Sequence, residues 1–266
     1  MGKNYIWDSE RTQEIRRMRR LFSYATLFWA IAAAPRAHAA IAPWELAGVA
    51  TGALGIGVTE FYKKDLVPDE ARWKTPPAID ASVRSGLVWS NTRLASTLSD
   101  VMLYGVMPTT AFLLPLATNH DYSRAALTIA EAAVMTGVVT QMAKFSFARA
   151  RPYAYYGNDY SNPDSKLSFF SGHTSYSFAL SLSSAMLLAE SYPRYSTLIY
   201  SVAIVVAMLP GYLRIAADKH YFTDVLTGAI VGSTIAYGVA HLNMTSNSQQ
   251  YGDERRLVLQ RIFVLQ

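Results

Sequence analysis

The sequence has no cysteine. Disulfides, zinc–thiolate sites and thiol nucleophiles are therefore excluded, and the absence fits an exported protein that does without disulfides. Charge is also sparse. Charged residues make up 16% of the chain against 51% apolar ones, and the net charge is +5. Many of the cations fall in the first twenty residues and between Lys63 and Arg93, so the clustered basic face that nucleic acid requires is missing and no nucleic-acid partner is expected. There is no internal repeat and no low-complexity tract. At 266 residues the chain is long enough for one domain with a substantial core.

What is present begins with a targeting pattern. Arg16, Arg17, Arg19 and Arg20 form a basic region, Leu21 to Ala34 an apolar one, and Ala37-His38-Ala39 a small-residue cleavage site. Residues 1–39 are thus expected to be a signal peptide, or else a cytoplasmic basic segment leading into a membrane helix. Residues 40–266 are expected to form a single helical domain. Its apolar segments are Leu46–Tyr62, Val101–Ala117, Ala125–Ala143, Thr174–Ala189, Tyr195–Leu213 and Val225–His241. They are too long for strands, so the fold class is all-α, a bundle of about six core helices. Most approach the length that crosses a bilayer, about 17–25 residues. Only Tyr195–Leu213 is unambiguous, because Leu46–Tyr62 is glycine-rich, Thr174–Ala189 serine-rich, and Ala125–Ala143 contains Glu131 and Gln141. Hydropathy alone fits either membrane spans or the buried helices of a soluble bundle. Between the first two segments, Ala78 onward is expected to be an amphipathic helix with Leu87, Val88, Leu94 and Leu98 facing inward. Tyr153–Lys166 reads as a loop, either a substrate rim or an interfacial aromatic belt.

Three short blocks carry the polar chemistry. Lys144 and Arg151 are seven residues apart, which on a continuing helix places them on one face, with Pro152 ending the helix. A lysine offers a mobile point charge and an arginine a fork matched to two oxygens of one phosphate. Ser171-Gly172-His173 precedes an apolar run. Ser171 is a natural N-cap, and the free amides behind it make an anion site. Arg214, His220 and Asp224 form the third block. His220 and Asp224 are four apart, with Asp218 a plausible cap for a helix holding both, so a carboxylate could fix the imidazole tautomer. Each block has an ordinary reading too: solvated cations at a helix end, a capped helix, a surface His–Asp pair. A metal site is disfavoured, since lysine and arginine neighbours repel a divalent cation and supply no ligand. Gathering three cations among apolar helices makes sense around an anion, because an unpaired buried ion costs several kcal/mol.

Taken together the blocks resemble the type 2 phosphatidic acid phosphatase (PAP2) superfamily, which also holds bacterial class A acid phosphatases and vanadium haloperoxidases. Its pattern is K-x6-R-P, P-S-G-H and S-R-x5-H-x3-D. Lys144, Arg151 and Pro152 match the first block. Phe170 replaces the proline of the second, and Leu213 the serine of the third. Neither change removes a charged group. The likeness covers about residues 101–241, the expected catalytic core, and leaves the first hundred residues out. It implies a metal-independent, cofactor-free phosphatase acting on phosphate monoesters through a phosphohistidine. In that mechanism His220 attacks phosphorus, Asp224 orients it, and His173 protonates the leaving oxygen. Lys144, Arg151, Arg214, Ser171 and Gly172 hold the phosphate. Candidate substrates are lipid phosphates such as phosphatidate, polyprenyl or lipid A phosphates, with membrane lipid as the surrounding partner. Alternatives are a soluble periplasmic acid phosphatase, a vanadium-dependent haloperoxidase and a non-enzymatic phosphate-binding membrane protein. The expected location is a bacterial inner membrane with the site facing the periplasm. That requires one of the first four apolar segments not to cross, and Leu46–Tyr62 is the candidate. The basic run Lys63–Arg93 argues for the opposite orientation.

Overall fold

The computed structural model describes residues 41–264, with side chains through residue 245; the targeting pattern in 1–39 lies outside them. Among the described residues the regular structure is helical, with one isolated bridge between Trp73 and Arg149. The main helices are α1 (Pro43–Phe61), α2 (Ala78–Leu87), α3 (Thr92–Val101), α4 (Met107–Leu113), α5 (Tyr122–Phe147), α6 (Pro152–Gly157), α7 (Gly172–Ser191), α8 (Ser196–Ala216) and α9 (Phe222–Val264). Each expected apolar segment falls within this helical framework, and the all-α bundle is what forms.

α7 is the axis. It packs along α9, α8 and α5, and its many serines explain how. Ser177, Ser183 and Ser184 return their hydroxyls to carbonyls four residues earlier, so no polar group is left bare and the side chains stay small. α9 comes close because it presents glycine: a Cβ at Gly232 would lie 2.2 Å from the Ser175 carbonyl oxygen, and one at Gly228 would lie 2.7 Å from that of Ser171. Small residues four apart are the usual means by which helices approach in lipid. Beside this seam, Met107, Ala111, Ala125, Ile129, Leu180 and Leu187 form the largest apolar cluster.

The outer surface is apolar as well. Leu198, Val202, Val205 and Met208 of α8, and Leu226, Ile230 and Tyr237 of α9, are exposed. Four stretches, Thr92–Ala117, Tyr122–Phe147, Pro193–Ala216 and Phe222–Thr245, are long and apolar enough to cross a bilayer. The chain is a membrane protein. This outer surface also corrects an expectation: Leu87, Leu94 and Leu98 point outward, while Ala95 and Ser99 are buried. In a bundle surrounded by lipid, burial selects the small and polar residues, so the apolar face is not the inward one.

α1 is not among those four stretches, yet it lies alongside α5. Glu45 meets Arg124 at 2.9 Å, Ile56 approaches Gly137, and Glu60 accepts from Gln141 at 3.3 Å. The two helices therefore run parallel, and α1, about 28 Å long at 1.5 Å per residue, extends from the far end of the bundle to the end where α5 stops.

Candidate active site

The three blocks come from four helix ends that share one end of the bundle: the last turn of α5, the first of α7, the last of α8 and the approach to α9. Backbone bonds lock them together. The Arg151 amide donates to Ser165 O at 2.7 Å, Tyr153 N to Asp218 O at 3.1 Å, Ser168 N to Arg149 O at 3.0 Å, and Ser171 N to Asp224 O at 3.1 Å.

Local geometry departs from expectation in two places. α5 ends at Phe147, with Ala148 in the left-handed region at φ 43°, and Pro152 starts α6 instead of ending a helix. Between them the chain is extended and paired to the loop before α2, through Arg72 N to Ala148 O and Ala150 N to Trp73 O. Lys144 and Arg151 thus do not share a helical face. The loop expected at Tyr153–Lys166 likewise holds most of α6 and a turn at Pro163–Lys166. Asp218, expected as a helix cap, is itself at φ 58° and gives its carboxylate to Arg84 in a two-pronged pair at 2.7 Å and 2.7 Å. α9 begins only at Phe222, so His220 stands before the helix. The cap expectation at Ser171 is met: its hydroxyl oxygen accepts from Thr174 N at 3.4 Å.

The site residues nevertheless converge. His220 is buried, and Arg151, Arg214, Lys144 and His173 all act on it electrostatically. Burial first, and then those cations, hold its imidazole well below the usual histidine range. Lys144 Nζ lies 3.6 Å from where a Cβ on Gly172 would stand. Arg151 is only 6% exposed, and its Nε is buried with no hydrogen-bond partner among the described residues. Arg214 is as deeply buried, with Ser99 Oγ at 3.2 Å and Asp100 at 3.4 Å.

The tautomer of His220 follows from its partner. Nδ1 is 2.7 Å from the Ser168 carbonyl oxygen, which can only accept, so Nδ1 carries the proton and Nε2 the free lone pair. Asp224 Oδ2 is 3.6 Å from Nδ1, beyond a hydrogen bond. Its oxygens are taken by Arg149, by Ser168 Oγ at 2.6 Å and by the Tyr221 amide at 2.9 Å. Asp224 therefore orients His220 through Ser168 and the Tyr221 backbone.

Four residues of this arrangement were not singled out in the sequence. Arg149 is buried between the rings of Trp73 and Tyr221, 3.9 Å and 4.3 Å from their centroids, and bridges Asp224 to Asp80 at 2.6 Å. Asp80 also caps the α9 end, accepting from Thr223 N at 2.8 Å. Ser168 links Asp224 to His220. Asp100 accepts from His173 Nε2 at 2.7 Å. Nothing in their local sequence pattern marks these four residues, because each acquires its partners only through the folded chain.

Comparison with known proteins bears on this geometry. The family model described as the PAP2 superfamily matches residues 125–248. Those residues belong to the PAP2 superfamily. No match was found among curated proteins. Among solved structures the chain is similar to the first transmembrane PAP2 type phosphatidylglycerolphosphate phosphatase from Bacillus subtilis. The TM-score is 0.42 at 20% identity, over 86% of this chain and 96% of that one. The PAP2 match begins after Asp80 and Asp100, so those two contributions come from outside the matched residues.

Proposed function

We propose that this PAP2 protein removes phosphate from lipid phosphomonoesters through a phosphohistidine on His220. The observation that carries the reading is the convergence of Arg151, Arg214 and Lys144, all acting electrostatically on the buried His220, with Arg151 Nε buried and unbonded among the described residues. A buried charge in that condition is stable only with an anion. The apolar exterior brings lipid to the same molecule.

In the first step His220 Nε2 attacks phosphorus and an N–P bond forms. The P–O ester bond breaks, and His173 gives its proton to the departing alkoxide. Lys144, Arg151, Arg214 and the first-turn amides behind Ser171 and Gly172 hold the equatorial oxygens, where charge sits in the transition state. In the second step neutral His173 takes a proton from water as the water oxygen attacks phosphorus. The N–P bond breaks, phosphate leaves, and His173 is again protonated. Asp100 supports the protonated ring by accepting from its Nε2, and Asp224 fixes the loop that presents His220.

We place the site on the periplasmic side of a bacterial inner membrane. Because α1 runs parallel to α5 toward the site, this orientation puts Pro43 on the cytoplasmic side. A signal cleaved after Ala39 would leave Ala40 outside, so cleavage and a periplasmic site exclude each other. The reading taken is the second one for that segment, with α1 as the membrane helix it leads into: Arg16 to Arg20 stay in the cytoplasm, as the positive-inside rule favours.

The test compares wild type with His220→Ala and His173→Ala on p-nitrophenyl phosphate and a phosphatidate panel, with and without EDTA. Both variants should lose turnover and chelation should change nothing. EDTA-sensitive wild-type activity, or an active His220→Ala, would contradict the mechanism.

A further inference from the structure

One carboxylate near the cationic cradle has no part in the proposed chemistry. Asp164 stands in the turn Pro163–Lys166, whose start is capped by Asn162 Oδ1 accepting from the Asp164 amide at 2.8 Å. The next residue, Ser165, is buried, and its carbonyl accepts from the Arg151 amide at 2.7 Å. Asp164 is thus one residue from a backbone bond to the cradle. It attracts Lys144, Arg151, Arg214 and Lys219 alike. Burial would raise its carboxyl, but Arg151, Lys63 and Lys144 outweigh that and hold it below the usual carboxylate range. It is therefore ionised near neutrality.

Among the described residues Asp164 hydrogen-bonds to none of those four cations. Its side chain is taken instead by Lys63 Nζ at 3.0 Å, and Lys63 is tied in turn to Glu60 at 2.5 Å. Two residues on, Lys166 donates to the carbonyls of Pro68 and Asp69 at 3.1 Å and 2.7 Å. The turn is clipped at both points to the segment that follows α1, and the carboxylate is kept out of the cradle. That segment lies outside the residues matched to the PAP2 superfamily.

Charge gives this arrangement a use. Lys144, Arg151 and Arg214 supply three positive charges, against about two negative ones on a phosphate group near neutrality. Binding energy spent equally on the product and the transition state does not raise turnover. A fixed negative charge at the rim, felt by the cradle but barred from contact, lowers the hold on phosphate without filling the site. We propose that Asp164, pinned by Lys63, is a counter-charge that weakens the cradle's grip on orthophosphate and so favours release of the product. This rests on the phosphatase reading above and adds a positioning residue that acts through the cradle.

The experiment is calorimetric binding of orthophosphate to the purified full-length protein in detergent. Asp164→Asn should tighten binding about 10-fold, the order expected for removing one charge beyond contact distance in a partly buried site. Lys63→Met should weaken binding, because the released carboxylate then reaches Arg151 and competes with phosphate. A variant carrying both changes should bind as tightly as Asp164→Asn. Asp164→Ala provides a second neutral variant should asparagine impair folding. A clip with only a structural role would weaken binding in every variant, and that result overturns the proposal. It is equally overturned if the neutral Asp164 variants bind no more tightly than wild type, if the double variant is as weak as Lys63→Met, or if no form binds orthophosphate. Binding is read without turnover. A wild type that showed these opposite signs yet failed to hydrolyse lipid phosphates would contradict the phosphatase reading and leave the counter-charge standing.

Discussion

Arg149 and Arg151 are separated by one alanine and do opposite work. In the proposed mechanism Arg151 binds the substrate's anion, whereas Arg149 has its anions built in as Asp80 and Asp224. Removing one partner from a buried ion network leaves an uncompensated charge, at a cost of about 3–5 kcal/mol. Arg149→Met is therefore expected to lower stability by that order, read as the denaturant or thermal midpoint in detergent; a loss below about 1 kcal/mol would remove Arg149 from the structural core. Arg151→Ala should leave the fold intact and lower kcat by about 10²–10³, the usual cost of one oxyanion donor. Asp100 acts through His173. Asp100→Asn should lower kcat with little change in KM and move the alkaline limb of the rate profile to lower pH, with Asp100→Glu restoring part of the rate. A fall in KM instead would mean that Asp100 competes with substrate for Arg214. For His220 the sign is fixed by its neighbours. Its pKa in the folded protein is depressed, so the neutral, attacking form persists below pH 6.5. The matching stability term is fully present above about 6.5 and is lost as pH falls toward the folded value. The acid limb of kcat/KM, which reports the free enzyme, should accordingly lie below 6.5, and an acid limb at or above that value would mean the cations do not surround His220.

At the level of elements, the seam between α7 and α9 makes a paired prediction. Gly232→Ala places a methyl group 2.2 Å from a backbone oxygen, and overpacking of this kind costs about 1–3 kcal/mol. Gly238→Ala, on the same helix with nothing within 4 Å, should be neutral or slightly stabilising. Equal effects at both positions would mean the helices are farther apart than described. Element existence was well marked in the sequence, because runs of about 17 apolar residues admit little but helix. Their ends were not. Ala148 and Asp218 adopt left-handed backbone without being glycine, and what holds them is pairing to a loop some seventy residues away in sequence, or an ion pair to Arg84. Periodicity within a segment carries no trace of such partners. The inward face of α3 was misread for a related reason: an amphipathic pattern names the two faces, but the solvent decides which one is buried. Block residues were legible because phosphate chemistry restricts residue type at fixed spacing. Asp80 and Asp100 were not, since each is a lone carboxylate on a helix outside the blocks and only the folded chain brings it to the site.

At the level of the whole molecule, the directions of the helices tie orientation to chemistry. α9 starts at the site and runs away from it, so a periplasmic site places the chain's C-terminal end in the cytoplasm. A C-terminal green fluorescent protein fusion should fluoresce, and an alkaline phosphatase fusion at the same point should be inactive; the reverse pair would turn the molecule over in the membrane. The enclosure of one tetrahedral anion by side chains from four helix ends, opposite a free imidazole nitrogen, is tested most directly by trapping the intermediate. Rapid acid-free quenching of wild-type enzyme with ³²P-labelled phosphatidate should leave a label that is stable to alkali, released by acid, and carried on the peptide containing His220. A label of that stability found on another residue, or no label while lipid product forms in a burst, would contradict it.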